Sequence, residues 1–186
     1  MKTYQITKLD KEEWKGHVLP VEYTTSEYYD VSKTASSDGF LISLRRKKFA
    51  APVRHYPEEY DFPDKLYQDH WQGAEAFGVL EGGRLIAAIE LYRESWANRL
   101  RVTELWVDEN HRRQGIGTKL LDLAKEVAAR EKMRMIILET QSCNVAAIDF
   151  YLSQKMDLVG VLTCDYANND IERKEVRLEM GFFLPS

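Results

Sequence analysis

Residues 100–132 constrain this chain more than any other stretch, because a strand, a basic turn and a long helix follow one another without a gap. Residues 102–107 are rich in β-branched and aromatic side chains, which favours a buried strand. Beyond the turn, apolar residues recur every three or four positions, which predicts a helix with one buried face. The residues of that face are Ile116, Leu120, Ala124 and Val127, widened by Leu121 and Ala128.

The turn between strand and helix has the composition of a site for a diphosphate group. It consists of Arg112, Arg113, Gln114, Gly115, Ile116, Gly117 and Thr118. A helix that begins near Gly117 leaves its first backbone N–H groups unpaired, and its dipole favours an anion there. The two glycines let a phosphate approach the backbone closely, and the two arginines add positive charge. The alternative is an ordinary strand-to-helix turn, since neither the P-loop nor the Rossmann glycine spacing is present.

The turn resembles the acetyl-CoA-binding motif of the GNAT superfamily of N-acetyltransferases, Gln/Arg-x-x-Gly-x-Gly/Ala. Arg112, Gly115 and Gly117 occupy its fixed positions. Residues 138–151 resemble a second GNAT segment, in which a strand and an Asn precede a helix that carries a Tyr. The resemblance covers about residues 75–184. Residues 138–141 (Leu-Glu-Thr-Gln) and 165–168 (Asp-Tyr-Ala-Asn) resemble the streptothricin acetyltransferase branch.

The pattern of elements along the chain predicts an α/β fold. Residues 85–89 are apolar on both faces, as in a central strand, and residues 176–184 alternate as in a half-buried antiparallel strand. Asn144 can cap a helix that runs to about Ser153. Residues 21–39 are polar without a clean period, and residues 52–75 form an irregular segment rich in acidic and aromatic side chains. We predict one domain over residues 1–186 with the GNAT (acyl-CoA N-acyltransferase) fold, a mixed seven-stranded sheet flanked by helices.

Composition excludes several classes of function. The net charge is −4 and no long basic block occurs, which argues against a nucleic-acid partner. No apolar run is long enough for a membrane span, and the first residues lack the hydrophobic region of a signal peptide, so we expect a cytoplasmic protein without a membrane partner. The two cysteines, Cys143 and Cys164, have no metal-ligand spacing, and we expect no metal.

The resemblance implies that acetyl-CoA is the cosubstrate and that the amine attacks it directly, without an acyl-enzyme. Leu105, Trp106 and Val107 would line the pantetheine arm, with the Val107 N–H polarising the thioester carbonyl. Residues 112–118 would hold the pyrophosphate, and Asn144 would also contact the pantetheine. Tyr151 matches the tyrosine that protonates the leaving thiolate. The alternative for Tyr151 is a core tyrosine, because residues 150–152 are an apolar run.

The general base and the acceptor site are less constrained. Glu104 and Glu139 are the candidate bases, although Glu104 could instead pair with Arg99 or Arg101. The streptothricin branch implies a primary amine of a small cationic antibiotic as acceptor. Its ammonium groups would bind three carboxylates, those of Glu139, Asp165 and Asp170. After the candidate acid, Lys155-Met156 stands where the family usually has a Gly-Phe turn.

Three alternatives to streptothricin acetylation remain at this stage. The acceptor could be a protein or peptide amine, or a polyamine, although the long segment 23–75 is more typical of a lid over a small-molecule site. The chain could also bind acetyl-CoA as a non-catalytic module. GNAT proteins are often dimers, and the alternating strand at residues 176–184 could lie in a homodimer interface.

Overall fold

The computed structural model describes residues 4–60 and 63–185. Asp61 and Phe62 of the acidic and aromatic segment lie outside the described residues, as do residues 1–3, on which the signal-peptide argument partly rests. None of the helices in the described ranges is long and apolar enough to cross a membrane.

The described residues form nine strands and four α-helices. The strands are β1 (Thr7–Leu9), β2 (Tyr23–Ser36), β3 (Gly39–His55), β4 (Glu75–Glu81), β5 (Arg84–Glu94), β6 (Arg99–Val107), β7 (Met135–Gln141), β8 (Asp157–Leu162) and β9 (Arg177–Phe183). The helices are α1 (Lys11–Trp14), α2 (Ile116–Arg130), α3 (Val145–Ser153) and α4 (Asp170–Arg173).

Seven of these strands form a mixed sheet in the order β1-β4-β5-β6-β7-β9-β8, and β2 and β3 form a separate two-stranded ribbon. The pairs β1–β4, β4–β5, β5–β6 and β8–β9 are antiparallel, whereas β6 and β7 are parallel. The predicted mixed seven-stranded sheet with flanking helices is confirmed.

The contacts divide the chain into two compact units. The first unit contains residues 4–21, 56–60, 63–138 and 182–185, and the second contains residues 22–55 and 139–181. The strand β7 contributes its first four residues to the first unit and its last three to the second.

The first unit is built on β4, β5 and β6. On one face, Leu85, Ala88 and Trp106 pack with Leu9 and Leu66 in a buried apolar cluster. The helix α2 contacts β5 and β6. Its six predicted core-facing residues are all buried, so the predicted amphipathic helix is confirmed.

The second unit contains a long antiparallel ribbon that the sequence did not reveal. Residues 23–36, within a segment that looked aperiodic, form β2 and pair with β3 around a turn at Ser37 and Asp38. Only the proximal part of the ribbon packs on a core, where Val31 and Leu44 meet Ile148 of α3. Residues 32–42 are exposed on both faces, so no alternation of apolar and polar residues marks them as a strand.

Candidate active site

The strand β6 carries an irregularity where it passes β5. Glu90 pairs with Glu104 and Leu91 pairs with Val102, so Thr103 is an extra residue on β6. Such a β-bulge bends its strand and changes the direction of nearby side chains. The bulge therefore separates the first half of β6 from its last four residues, Glu104 and the predicted pantetheine-lining residues Leu105, Trp106 and Val107.

Beyond this bulge, one edge of β6 is open. The parallel register between β6 and β7 runs from Arg99 to Arg101 in the described residues and goes no further. Asp108 N–H donates to the Ile86 carbonyl at 2.8 Å, so residues 104, 106 and 108 direct their backbone polar groups toward β5. Those of Leu105 and Val107 point the opposite way, toward the open edge.

The turn after β6 is held in an unusual backbone conformation. A single 3₁₀ turn, Glu109–His111, follows β6, and Arg113 and Gly115 then both adopt left-handed φ angles of 62° and 81°. Arg112 Nε donates to the Val107 carbonyl at 3.1 Å, which fastens the turn to the end of β6. These φ angles and this hydrogen bond define the path of the chain between β6 and α2.

The helix α2 begins directly after Gly115, and no side chain in the described part of the chain caps it. Its first turn also lacks acidic residues, so no carboxylate in that turn neutralises the partial positive charge of the unpaired N–H groups. A Cβ built on Gly115 would meet no atom within 4 Å, which means that the space in front of the turn is unfilled. We call residues 112–118 the cradle. Its open backbone and two arginines have the chemistry of an anion site.

Asp108, the residue after β6, contacts the 3₁₀ turn that precedes the cradle and also an arginine of β5. Asp108 accepts a hydrogen bond from the Asn110 N–H at 3.0 Å, and the His111 ring lies 3.0 Å from the same carboxylate oxygen. Arg84 contacts the other oxygen at 2.5 Å. The hydrogen bond with His111 lowers the pKa of Asp108 and raises the pKa of His111. These contacts fix the direction in which the chain leaves β6.

Glu104 lies in the first unit and is 8% exposed. Gln68 Nε2 donates to its Oε1 over 3.5 Å. Arg99 and Arg101, the partners considered for Glu104 from the sequence, donate to Glu94.

In the second unit, α3 carries two of the predicted residues. Asn144 Oδ1 accepts from the Ala147 N–H at 3.2 Å, so the predicted cap of a helix ending at Ser153 is confirmed. Tyr151 is 7% exposed. Lys155 adopts a φ of 64°, and Met156 N–H donates to the Tyr151 carbonyl at 3.1 Å. The left-handed turn that a glycine usually makes is thus kept here by a lysine.

Glu139 and Asp165, two of the predicted acceptor-binding residues, lie together around an arginine. Arg177 Nη1 contacts Glu139 Oε2 at 2.5 Å and Asp165 Oδ2 at 2.8 Å, and its Nη2 donates to Glu179 Oε1 at 2.8 Å. Tyr166 Oη donates to the other oxygen of Glu139 at 3.1 Å. We call Arg177, Glu139, Asp165 and Glu179 the Arg177 cluster. It holds three carboxylates for one guanidinium.

Asp170 has a different role from the one predicted. It is completely buried, and its carboxylate accepts the backbone N–H groups of Asp165, Tyr166 and Ala167 at 2.8, 3.0 and 2.8 Å. A carboxylate with its oxygens occupied in this way organises the loop before α4 and has no access to a ligand. The expectation that Asp170 binds the acceptor is therefore corrected.

Sequence reasoning missed Arg177 and Glu179, although a signal was present. Both lie on β9 two residues apart, so the alternation that predicted this strand also places them on one face. It also missed Glu90, a charged residue within the apolar run of β5. A charge in a central strand is uncommon and marks a position that needs a partner.

The comparison with known protein families decides the assignment. Residues 41–156 match the family model described as acetyltransferase (GNAT) family, which is more than half of the 186-residue chain. The chain belongs to the GNAT family. It is an acetyl-CoA-dependent N-acetyltransferase, as the resemblance of the cradle predicted.

Similar proteins include acetyltransferases of streptothricin-type antibiotics. A streptothricin acetyltransferase of Escherichia coli is 27% identical over 139 residues, which cover 75% of this chain and 72% of the relative. The crystal structure of nourseothricin acetyltransferase superposes with a TM-score of 0.74 at 24% identity, covering 99% of this chain and all of the other.

A further structure is that of a provisionally assigned streptothricin acetyltransferase from Bacillus anthracis str. Ames, in complex with acetyl coenzyme A. Its TM-score is 0.72 at 20% identity, with 98% of each chain covered. These structural likenesses confirm the fold of the GNAT acetyltransferase over nearly its whole length.

Proposed function

We propose that this acetyltransferase transfers the acetyl group of acetyl-CoA to a primary amine of a small cationic molecule of the streptothricin class. The observation that carries the proposal is the pairing of an uncapped helix at the cradle with an open edge of β6. The names of the relatives favour streptothricin among cationic acceptors. In this role the enzyme would inactivate the antibiotic.

The cradle would bind the coenzyme diphosphate through the N–H groups at the start of α2, with Arg112 and Arg113 neutralising its charge. Asn144 would contact the pantetheine while it caps α3. The pantetheine amides would pair with the outward-facing backbone of Leu105 and Val107, alongside Trp106. The Val107 N–H would then donate to the thioester carbonyl oxygen, whose negative charge grows as the amine attacks.

The chemical step needs a proton removed from the ammonium group and a proton given to the leaving thiolate. In the proposal, Glu104 accepts the first, directly or through a water, and Tyr151 donates the second. The amine nitrogen forms a bond to the acetyl carbon, and the carbon–sulfur bond then breaks.

The Arg177 cluster would bind the acceptor. Three carboxylates around one guanidinium leave an excess negative charge that favours a molecule with several ammonium groups. Glu139 and Asp165 are the more exposed of the three carboxylates and would receive the ammonium groups. Glu139 also remains the rival of Glu104 as base.

The first experiment is release of CoA thiol from acetyl-CoA with streptothricin, spermidine, an aminoglycoside and a lysine peptide as acceptors. Turnover with streptothricin well above the others is the expected result. Turnover with the peptide or spermidine instead would overturn the acceptor class, and acetyl-CoA binding without any turnover would favour a non-catalytic module.

The Tyr151→Phe variant tests the proposed acid. Removal of the hydroxyl should lower kcat by about 10²-fold or more while acetyl-CoA affinity stays the same, because general acid catalysis contributes on that scale. Tyr29→Phe is the matched control, since Tyr29 packs against the apolar cluster of the second unit. An unchanged kcat in Tyr151→Phe would remove Tyr151 from the mechanism.

A further inference from the structure

Glu90 is a carboxylate in the middle of β5 with no exposed surface. The backbone N–H of Tyr67 donates to its Oε2 at 2.5 Å, and Thr103 Oγ1 donates to its Oε1 at 2.8 Å. Burial raises the pKa of Glu90, and the two hydrogen bonds and the nearby charges of His70 and Lys11 act in the opposite direction. An apolar residue would fill this position at a lower cost, so the carboxylate calls for an explanation beyond packing.

The first partner of Glu90 is the bulge of β6. Thr103 is the extra residue that separates the pairs Glu90–Glu104 and Leu91–Val102. Its hydroxyl also lies 3.4 Å from the Glu90 carbonyl oxygen, so the side chain is held against β5 at two points. Because Glu104 directly follows Thr103, the position of the bulge sets where the Glu104 side chain begins.

The second partner is the loop that lies over β5 and β6. Tyr67 has a left-handed φ of 55°, which is unfavourable for a residue with a Cβ. Its hydroxyl donates to the Leu9 carbonyl at 2.6 Å and accepts the Ala76 N–H at 2.9 Å, so the residue is fixed at both ends. The next residue is Gln68, whose amide reaches Glu104. Glu90 thus holds the backbone of Tyr67, and the residue after Tyr67 is Gln68, which contacts Glu104.

We propose that Glu90 is a positioning residue for Glu104, which it orients through the Thr103 bulge on one side and the Tyr67–Gln68 backbone on the other. The proposal rests on the role of Glu104 as the base in the proposed function. It goes beyond that function by assigning the buried carboxylate of β5 to the geometry of proton transfer. A shift of about 1 Å in a reacting group can cost a factor of about 10² in rate.

Two single variants test the proposal. Glu90→Gln keeps the volume but leaves one acceptor oxygen for two donors, and Thr103→Val removes one of those donors while keeping a β-branched residue at the bulge. Each should lower kcat by about tenfold or more, with the KM of acetyl-CoA unchanged. Thr103→Val keeps the test available if Glu90→Gln does not fold.

Glu94→Gln is the matched control, because Glu94 is also a buried carboxylate of β5 but binds Arg99 and Arg101. It should lower the melting temperature and leave kcat unchanged. If Glu94→Gln lowers kcat as much as Glu90→Gln does, general destabilisation explains both and the positioning role is overturned.

The double variant Glu90→Gln/Glu104→Gln decides whether Glu90 acts through Glu104. If it does, the double variant should be no slower than Glu104→Gln alone, because the group being positioned is already gone. If the double variant shows the product of the two single-variant losses in kcat, the proposal is overturned. A normal kcat in Glu104→Gln would instead overturn the base assigned in the proposed function, and an effect in Glu104→Gln with none in Glu90→Gln would overturn only the positioning role.

Discussion

The cradle and the Arg177 cluster are both charged regions with a proposed ligand, yet they are assembled in opposite ways. The cradle takes its groups from seven consecutive residues, and the anion binding proposed for it would depend mainly on backbone N–H groups at the start of α2. The Arg177 cluster takes its groups from β7, β9 and the loop before α4. The cluster, unlike the cradle, already contains an internal cation next to its carboxylates, the guanidinium of Arg177.

This difference shows why carboxylates in a sequence are weak indicators of a cation site. Glu139 and Asp165 were predicted to bind an ammonium group, and the cation next to them in the structure is the guanidinium of Arg177. In the proposed function, an acceptor that binds these carboxylates must therefore lie beside Arg177 or compete with it. One substitution in each region tests this comparison, and a third, at Lys155, tests the left-handed backbone conformation that Lys155 shares with Gly115.

Arg177→Met should give the largest effect, because it leaves three carboxylates close together without their shared cation. We expect a loss of about 2 kcal/mol in the free energy of unfolding, less than for a fully buried pair because the cluster is partly exposed. Urea titration measures it.

The control for Arg177→Met is Arg173→Met, which removes one ion pair, to Glu175, from the same unit. It should cost clearly less than the loss at Arg177. Equal losses in the free energy of unfolding would mean that Arg177 contributes no more than a single ion pair does.

Gly115→Val tests the cradle. A β-branched residue at a φ of 81° is strained by roughly 1–2 kcal/mol, and its side chain would enter the space in front of the turn, where we propose that the diphosphate binds. We expect CoA to bind about 10- to 100-fold more weakly, measured by calorimetry. Gly73→Val is the control, because Gly73 has a φ of 86°, similar open space and no part in the cradle. Equal CoA affinities in the two variants would contradict the proposed diphosphate site.

Lys155→Gly should give the smallest effect. It measures what a left-handed φ costs a residue other than glycine, for comparison with Gly115. Lys155 has a φ of 64° at the end of α3, where only the backbone conformation matters. Glycine should therefore stabilise the protein by about 0.5–1 kcal/mol, seen as a rise of roughly 2–3 °C in melting temperature. Gln154→Gly, at a negative φ of −85°, should bring no gain. A loss of stability in Lys155→Gly would show that the lysine side chain itself is needed.

Much of the fold could be predicted from the sequence where the signal is local. The apolar period of α2, the alternation of β9 and the cap at Asn144 all depend on residues within one or two turns of each other, and the structure confirms all three. The ribbon of β2 and β3 was missed because its distal half buries neither face. Its pairing is therefore not reflected in the hydrophobic pattern.

The candidate site likewise contains parts that have a local sequence signal and parts that have none. The cradle could be found in the sequence, since a turn between a strand and a helix brings its own backbone donors together. The roles of Asp170 and Glu90 could not, because both depend on which backbone N–H groups and hydroxyls the fold brings to a buried carboxylate. Sequence alone shows that a carboxylate is present and leaves its partner open.

The sequence by itself thus determined the family and predicted both the cradle and the helix α2 that begins within it. These features depend on neighbouring residues and on backbone chemistry. Only the tertiary structure decided which carboxylates contact Arg177, which one organises the loop before α4 and which one lies opposite Glu104 on the neighbouring strand. The physical reason is that a charge in a folded protein takes its role from the partners within hydrogen-bonding distance, and those partners come from distant parts of the chain.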